Sequence, residues 1–164
     1  MKARRHNSLI PLSREHQYAL LLCLRIHRGL AESKEKPSWV HEQAIKTVQF
    51  YDAELVLHFK AEEEILFPPM RSFQNAHALI EDLLIEHKSL QALVENLRAT
   101  TGGSLASTLK DFADALEAHI RKEERALFPI YESEVSQELA DHIEQGIVRL
   151  IGDARYPRNP KLLE

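Results

Sequence analysis

Apolar residues recur along most of this chain in steps of three and four, and proline and glycine fall almost entirely between the periodic stretches. That arrangement predicts five helices, because a stripe at 3.6-residue spacing marks one buried face and proline and glycine mark its ends. The first runs from about Ser13, a candidate N-cap, to about Ala31, and the second from about Ser38 to about Phe67, where Pro68-Pro69 should stop it. The third covers about Asn75 to Ala99, and Thr-Thr-Gly-Gly at 100–103 makes a turn. The fourth runs from about Ser104 to the region of Pro129, where it should end or kink. A shorter fifth helix spans about Val135 to Ile151, and the tail RYPRNPKLLE reads as irregular. Long helices joined by short connections imply an all-α fold: an up-and-down antiparallel four-helix bundle with an additional short C-terminal helix. For 164 residues the expected organisation is one domain over 1–152, with its core in 10–132, followed by an irregular tail at 153–164.

The stripes are not apolar throughout. That of the second helix reads Val40, Ala44, Val48, Tyr51, Leu55, His58, Glu62, Ile65, and that of the fourth Leu105, Leu109, Phe112, Leu116, His119, Glu123, Leu127. The third carries one histidine in Ile80, Leu84, His87, Leu90, Val94, Leu97, and the first carries His16 in His16, Leu20, Cys23, His27, Leu30. At about 1.5 Å per residue, His16 and His58 lie roughly 24 and 29 Å from the first turn, and His87 and His119 roughly 20 and 22 Å from the third. In an antiparallel bundle the four imidazoles then share one layer.

Two phrases carry this layer. HFKAEEEILFP begins at His58 and HIRKEERALFP at His119, and they agree at six of eleven places. A bare His-x-x-x-Glu is a weak signal, since with nineteen glutamates about one of nine histidines has a glutamate four places on by chance. His77 with Glu81 is such a decoy, because about 100° per residue turns His77 roughly 80° away from His87. Four histidines and two glutamates in one buried layer need a common partner, since a lone buried carboxylate is costly. A pair of metal ions supplies one, imidazole and carboxylate suiting iron, manganese or zinc. The alternative is a hydrogen-bonded polar layer that fixes helix register.

Composition narrows the partners. A formal charge of -4 gives no electrostatic case for nucleic acid or an anionic membrane surface. One cysteine, Cys23, excludes an internal disulfide framework and suits a reducing cytoplasm. The start MKARRH is basic, but the nearby apolar run Ala19 to Leu24 is cut by Arg25, which argues against a signal peptide, and nothing approaches a bilayer span.

The order of a lone His16, His58-x-x-x-Glu62, a lone His87 and His119-x-x-x-Glu123 resembles the hemerythrin-like, or HHE cation-binding, family over roughly residues 10 to 132. The resemblance implies a site for two non-haem iron ions, with zinc or manganese as alternatives. It makes Glu62 and Glu123 bridging ligands and His16, His58, His87 and His119 terminal ones. Oxygen-carrying hemerythrins have a further histidine four residues from the one on the third helix, where this chain has Leu83 and Gln91. With the family's bridging geometry and one shared oxygen, ten of twelve octahedral positions are filled.

The resemblance therefore implies a di-iron protein that binds or senses dioxygen, nitric oxide or a peroxide at an open position. The alternatives are a di-iron redox enzyme, reducing peroxide or nitric oxide or oxidising iron, and a helical interaction module with a structural metal. A homodimer or a signalling partner could use the fifth helix.

Blander readings attach to the other residues singled out. His27 reads as a satisfied core histidine, Tyr51 as a packed aromatic, Cys23 as a small core residue, and His6, His41 and His142 as surface residues. Glu63, Glu64 and Glu124 read as a solvated face, and Glu54 as a flank residue that could contact a ligand. The Leu-Phe-Pro endings read as apolar plugs and helix stops, with Phe67 and Phe128 able to keep the site dry.

Overall fold

The computed structural model describes residues 5–32 and 36–164. Residues 1–4, which open the basic MKARRH stretch, and 33–35 lie outside the described residues. A 3-10 turn at Asn7–Leu9 leads into α1, Ile10–Glu32. Ser13 is therefore not the N-cap. The chain enters the helix earlier, with the His6 ring accepting from the Ser8 amide and Pro11 in the first turn, where its missing N–H costs nothing. Helix α2 occupies residues 37–70 and begins with Pro37 at its first position. Helix α3 is Gln74–Ala99, α4 occupies residues 105–134, and α5 is Gln137–Ile151, capped by the Ser136 hydroxyl.

Neither proline site ends its helix. Three wide π turns interrupt the α-helical ladder, at Tyr51–Leu55 and Glu62–Leu66 in α2 and at Glu123–Leu127 in α4. In the last two, the amides of Phe67 and Phe128 reach back five residues to the carbonyls of Glu62 and Glu123. A proline ring in a regular helix collides with the carbonyl four residues earlier. For Pro68, Pro69 and Pro129 those carbonyls belong to Glu64, Ile65 and Arg125, inside the widened turns. Helix α2 consequently continues to Met70 and α4 to Glu134. The extra residue also shifts the buried stripe. Ile65, expected on the core face, is half-buried, while Leu66 and Phe67 take the core positions.

Helices α1 and α3 each lie along α4, and α2 lies along α3, closing the bundle. Two apolar clusters fill it. One contains Leu22, Ile26, Phe50, Leu55, Leu90, Val94, Leu109, Phe112 and Leu116. The other contains Leu12, Leu66, Phe67, Met70, Ile80, Leu83, Leu127 and Phe128. The six polar residues lie between the two. Helix α5 buries Ala140, Ile143, Ile147 and Ile151 within the second cluster, so this stripe of the expected partner surface is covered by the chain's own bundle. At Gly146 a Cβ would stand 2.7 Å from Ile65 Cγ2, so only glycine lets α5 approach the second π turn this closely.

The tail is not wholly irregular, since Pro160–Leu163 forms a 3-10 turn and buries Leu162 in the first cluster. Among the described residues no helix is long and apolar enough to cross a membrane.

Candidate metal centre

The structure brings all six singled-out residues together. Their potential ligand atoms form two groups, His16, His58, Glu62 and Glu123, and Glu62, His87, His119 and Glu123, with the atoms in each within 4.8 Å of one another. Both glutamates belong to both groups. Every one of the six is buried, and the rings pair across helices, His16 with His58 and His87 with His119, at centroid separations of 4.8 Å in each case.

The Nε2 atoms face inward. His58 Nε2 lies 3.0 Å and His16 Nε2 3.7 Å from Glu62 Oε1, while His87 Nε2 lies 3.2 Å from Glu62 Oε2, so one carboxylate faces both halves. Glu123 Oε2 lies 3.1 Å from His16 Nε2 and 3.5 Å from His119 Nε2. Close as these approaches are, none of the four oxygens of Glu62 and Glu123 has a hydrogen-bond partner, and neither does His16 Nε2. Two fully buried carboxylates left so would each cost several kcal/mol. A donor set of four imidazole nitrogens and four carboxylate oxygens around that space fits a pair of divalent cations, whose charge compensates the carboxylates.

The opposite ring nitrogens are all held. His16 Nδ1 donates to Glu124 at 2.8 Å, His58 Nδ1 to Glu15 at 2.8 Å, His87 Nδ1 to Glu63 at 2.7 Å, and His119 Nδ1 to Glu86 at 2.8 Å. An ionised carboxylate only accepts, so each bond places a proton on Nδ1 and, in the neutral ring, leaves the Nε2 lone pair facing the centre. These four glutamates form a closed circuit. Helix α1 holds the histidine of α2 through Glu15, α2 that of α3 through Glu63, α3 that of α4 through Glu86, and α4 that of α1 through Glu124.

Glu63 and Glu124 are thus not a merely solvated face, as the sequence suggested. About 100° of rotation past Glu62 and Glu123 points them at the flank, and the flank is where the neighbouring helix presents its ring. Glu64 remains exposed. Glu15 and Glu86 escaped notice altogether. The available signal was adjacency: in each helix the holding glutamate sits directly beside a central residue, as Glu15-His16, Glu62-Glu63, Glu86-His87 and Glu123-Glu124.

Protonation follows the same geometry. Burial opposes charge on the His58 imidazole, but Glu62 and Glu15 outweigh it and raise its pKa from the ordinary 6.5 to about 9. Burial likewise opposes charge on His16 and His87, and their carboxylate neighbours, Glu123, Glu124 and Glu62 for the first and Glu62, Glu123 and Glu63 for the second, raise both. Burial would raise Glu62, yet His58, His16 and His87 hold it well below the usual carboxylate range. Without a cation His16, His58 and His87 take up protons more readily than free imidazoles, and a metal ion would displace them.

Aromatic rings close the layer. Phe59 stacks on His87 at 4.0 Å, Phe67 stands behind the same ring at 5.8 Å, and Phe128 stacks on His16 at 5.6 Å. Tyr51 packs edge-on against Phe59.

The remaining candidates stand apart. His41, His77 and His142 are exposed, and half-buried His27 bonds Asp114 at 2.8 Å on the α1–α4 seam. His6 is half-buried, its ring on the Ser8 hydroxyl at 2.7 Å. Cys23 is buried, which pushes its thiol up to about 12. Glu54 is buried but faces Arg158, not His58.

Comparison with known proteins agrees with this geometry. A DNA nickase from Nostoc sp. is 30% identical over 87 residues, 52% of this chain and 24% of that protein, so the chain spans about a quarter of its relative's length. No solved structure matches the chain. The model of the hemerythrin HHE cation-binding domain matches residues 11–131, the span that carries all six central residues, and the chain belongs to that family.

Proposed function

We propose that this chain holds two non-haem iron ions and binds a small ligand, dioxygen, nitric oxide or a peroxide, beside them. His16 and His58 would hold one ion, His87 and His119 the other, with Glu62 and Glu123 shared between them. The observation that carries the reading is the set of four unpartnered carboxylate oxygens, buried between two histidine pairs whose other nitrogens are fixed. When bound, such a pair supplies redox-active ions with coordination positions to spare. The chain's own residues orient the imidazoles, balance the charge and keep water out. Leu83 and Gln91, one turn before and after His87, carry no imidazole, so the third helix supplies a single ring.

The nicking activity in the Nostoc relative's name adds nothing to this reading. The match covers a quarter of that protein, and a net charge of -4 gives no attraction for a polyanion. Protein expressed with iron should contain about two irons per chain and show a near-ultraviolet and visible absorption that azide perturbs. A metal-bearing protein that ignores azide and cannot be reduced would instead be a structural-metal module, and turnover of peroxide or nitric oxide would make it an enzyme.

A further inference from the structure

Arg158 lies in the C-terminal tail, beyond α5 and outside both the six central residues and their glutamate circuit. Its guanidinium forks between two helices, with Nη2 2.6 Å from Glu15 Oε1 on α1 and Nη1 2.9 Å from Glu54 Oε2 on α2. The same Nη1 donates to the Glu54 carbonyl at 3.3 Å, and the Asn159 amide donates to Glu54 Oε1 at 2.9 Å. Glu15 and Glu54 are 5% and 3% exposed, so each carboxylate needs a compensating cation. Among the described residues, Arg158 is the lysine or arginine paired with both. The second oxygen of Glu15, Oε2, accepts from His58 Nδ1 at 2.8 Å. With Oε1 against the Arg158 guanidinium and Oε2 on His58 Nδ1, the Glu15 carboxylate is held from both sides and in turn orients the imidazole.

The tail has other anchors. The Tyr18 hydroxyl bonds the carbonyls of Ala154 and Arg155, Arg14 bonds the carbonyl of Asp153, and Leu162 is buried in the core. Arg158 is therefore not needed merely to keep the tail in place.

We propose that Arg158 is a positioning residue for the metal centre: through Glu15 it holds His58, and the C-terminal tail thereby sets the affinity of the half built on His16 and His58. This rests on the metal-binding reading above, and the experiment separates the two. Cobalt(II) is titrated into metal-free full-length protein without oxygen and followed by its visible absorption and by calorimetry.

Wild type should take up two ions. R158Q should keep one at wild-type affinity and bind the other about 10-fold more weakly, the lower end of what loss of a ligand's hydrogen-bonded support does. In an E15A background, where nothing connects the tail to His58, R158Q should add no further loss. R158K keeps the charge without the fork and should weaken the same ion roughly threefold, which decides the matter if R158Q does not fold.

Wild type that binds no cobalt would defeat the metal reading itself. With two ions bound by wild type, three results would overturn the positioning role. They are unchanged affinity in R158Q or R158K, an equal loss with and without Glu15, or a lowered melting temperature of the metal-free protein with cobalt affinity unmoved.

Discussion

The two halves of the centre have the same inner residues and different surroundings. Around His16 and His58 the holding glutamates are Glu124 and Glu15, and an arginine from near each end of the chain pairs with each, Arg5 with Glu124 at 2.5 Å and Arg158 with Glu15 at 2.6 Å. Arg5 also lies 4.9 Å over Phe128, the ring stacked on His16. Around His87 and His119 the holders are Glu63, whose side chain is 44% exposed, and Glu86, which pairs with Lys122. For Glu63 no lysine or arginine lies within ion-pair distance among the described residues. The contrast lies between Glu15, buried and paired with Arg158, and Glu63, open to water with no such cation beside it; Glu124 and Glu86, each half-buried and paired with one cation, are alike. On the proposed metal-binding reading, the inner residues decide whether metal binds, and Glu15 and Glu63 make the two positions unequal.

Four experiments can break or sharpen this contrast. The largest effect belongs to the shared residues. E62A or E123A should remove both ions together, a loss above about 100-fold read by metal analysis after dialysis, whereas H58A or H87A should weaken mainly one. If E62A retained two ions, the shared role would be wrong. Next come the holders. E15A should cost about 100-fold in affinity for one ion and E63A nearer 10-fold, because water can replace a carboxylate that already faces solvent, with E124A and E86A between the two. Equal losses for E15A and E63A would erase the difference between the halves.

The third effect is on pH. His58 has a folded pKa of about 9, above its ordinary 6.5, so its contribution is fully present below about pH 6.5 and lost as pH rises through about 9. A shift of that size is of order 3 kcal/mol. Metal-free protein should melt at a lower temperature at about pH 10 than at about pH 6, and loaded protein should show a smaller drop because the ion replaces the protons. A melting temperature that rises over that range in the metal-free protein would contradict the protonated cage. The smallest effect is a null: H77A, at the exposed decoy histidine, should change stability by less than about 0.5 kcal/mol and leave metal content unchanged.

How much of this could be read from the chain follows from what helical periodicity encodes. A polar residue in an apolar stripe is conspicuous, so His16, His58, Glu62, His87, His119 and Glu123 stood out before any coordinates. A residue one place further on falls on the flank, where a helix seen alone looks solvated. What Glu63 and Glu124 touch depends on which helix lies alongside, and no single-helix pattern carries that. The π turns were hidden for a related reason, since a fixed step of 100° admits no inserted residue. It placed Ile65 in the core, and proline alone suggested a stop at Pro68-Pro69 and an end or kink at Pro129, where the wider turns accommodate the rings. Arg158 was overlooked because a Pro-rich tail with no periodicity gives no hint of where it docks.

Anomalous diffraction from crystals of iron-loaded protein tests the central claim most directly. Two iron peaks should appear in the buried layer, one beside His16 and His58 and the other beside His87 and His119, with Glu62 and Glu123 between them. A single peak, or iron found only outside that layer, would contradict it.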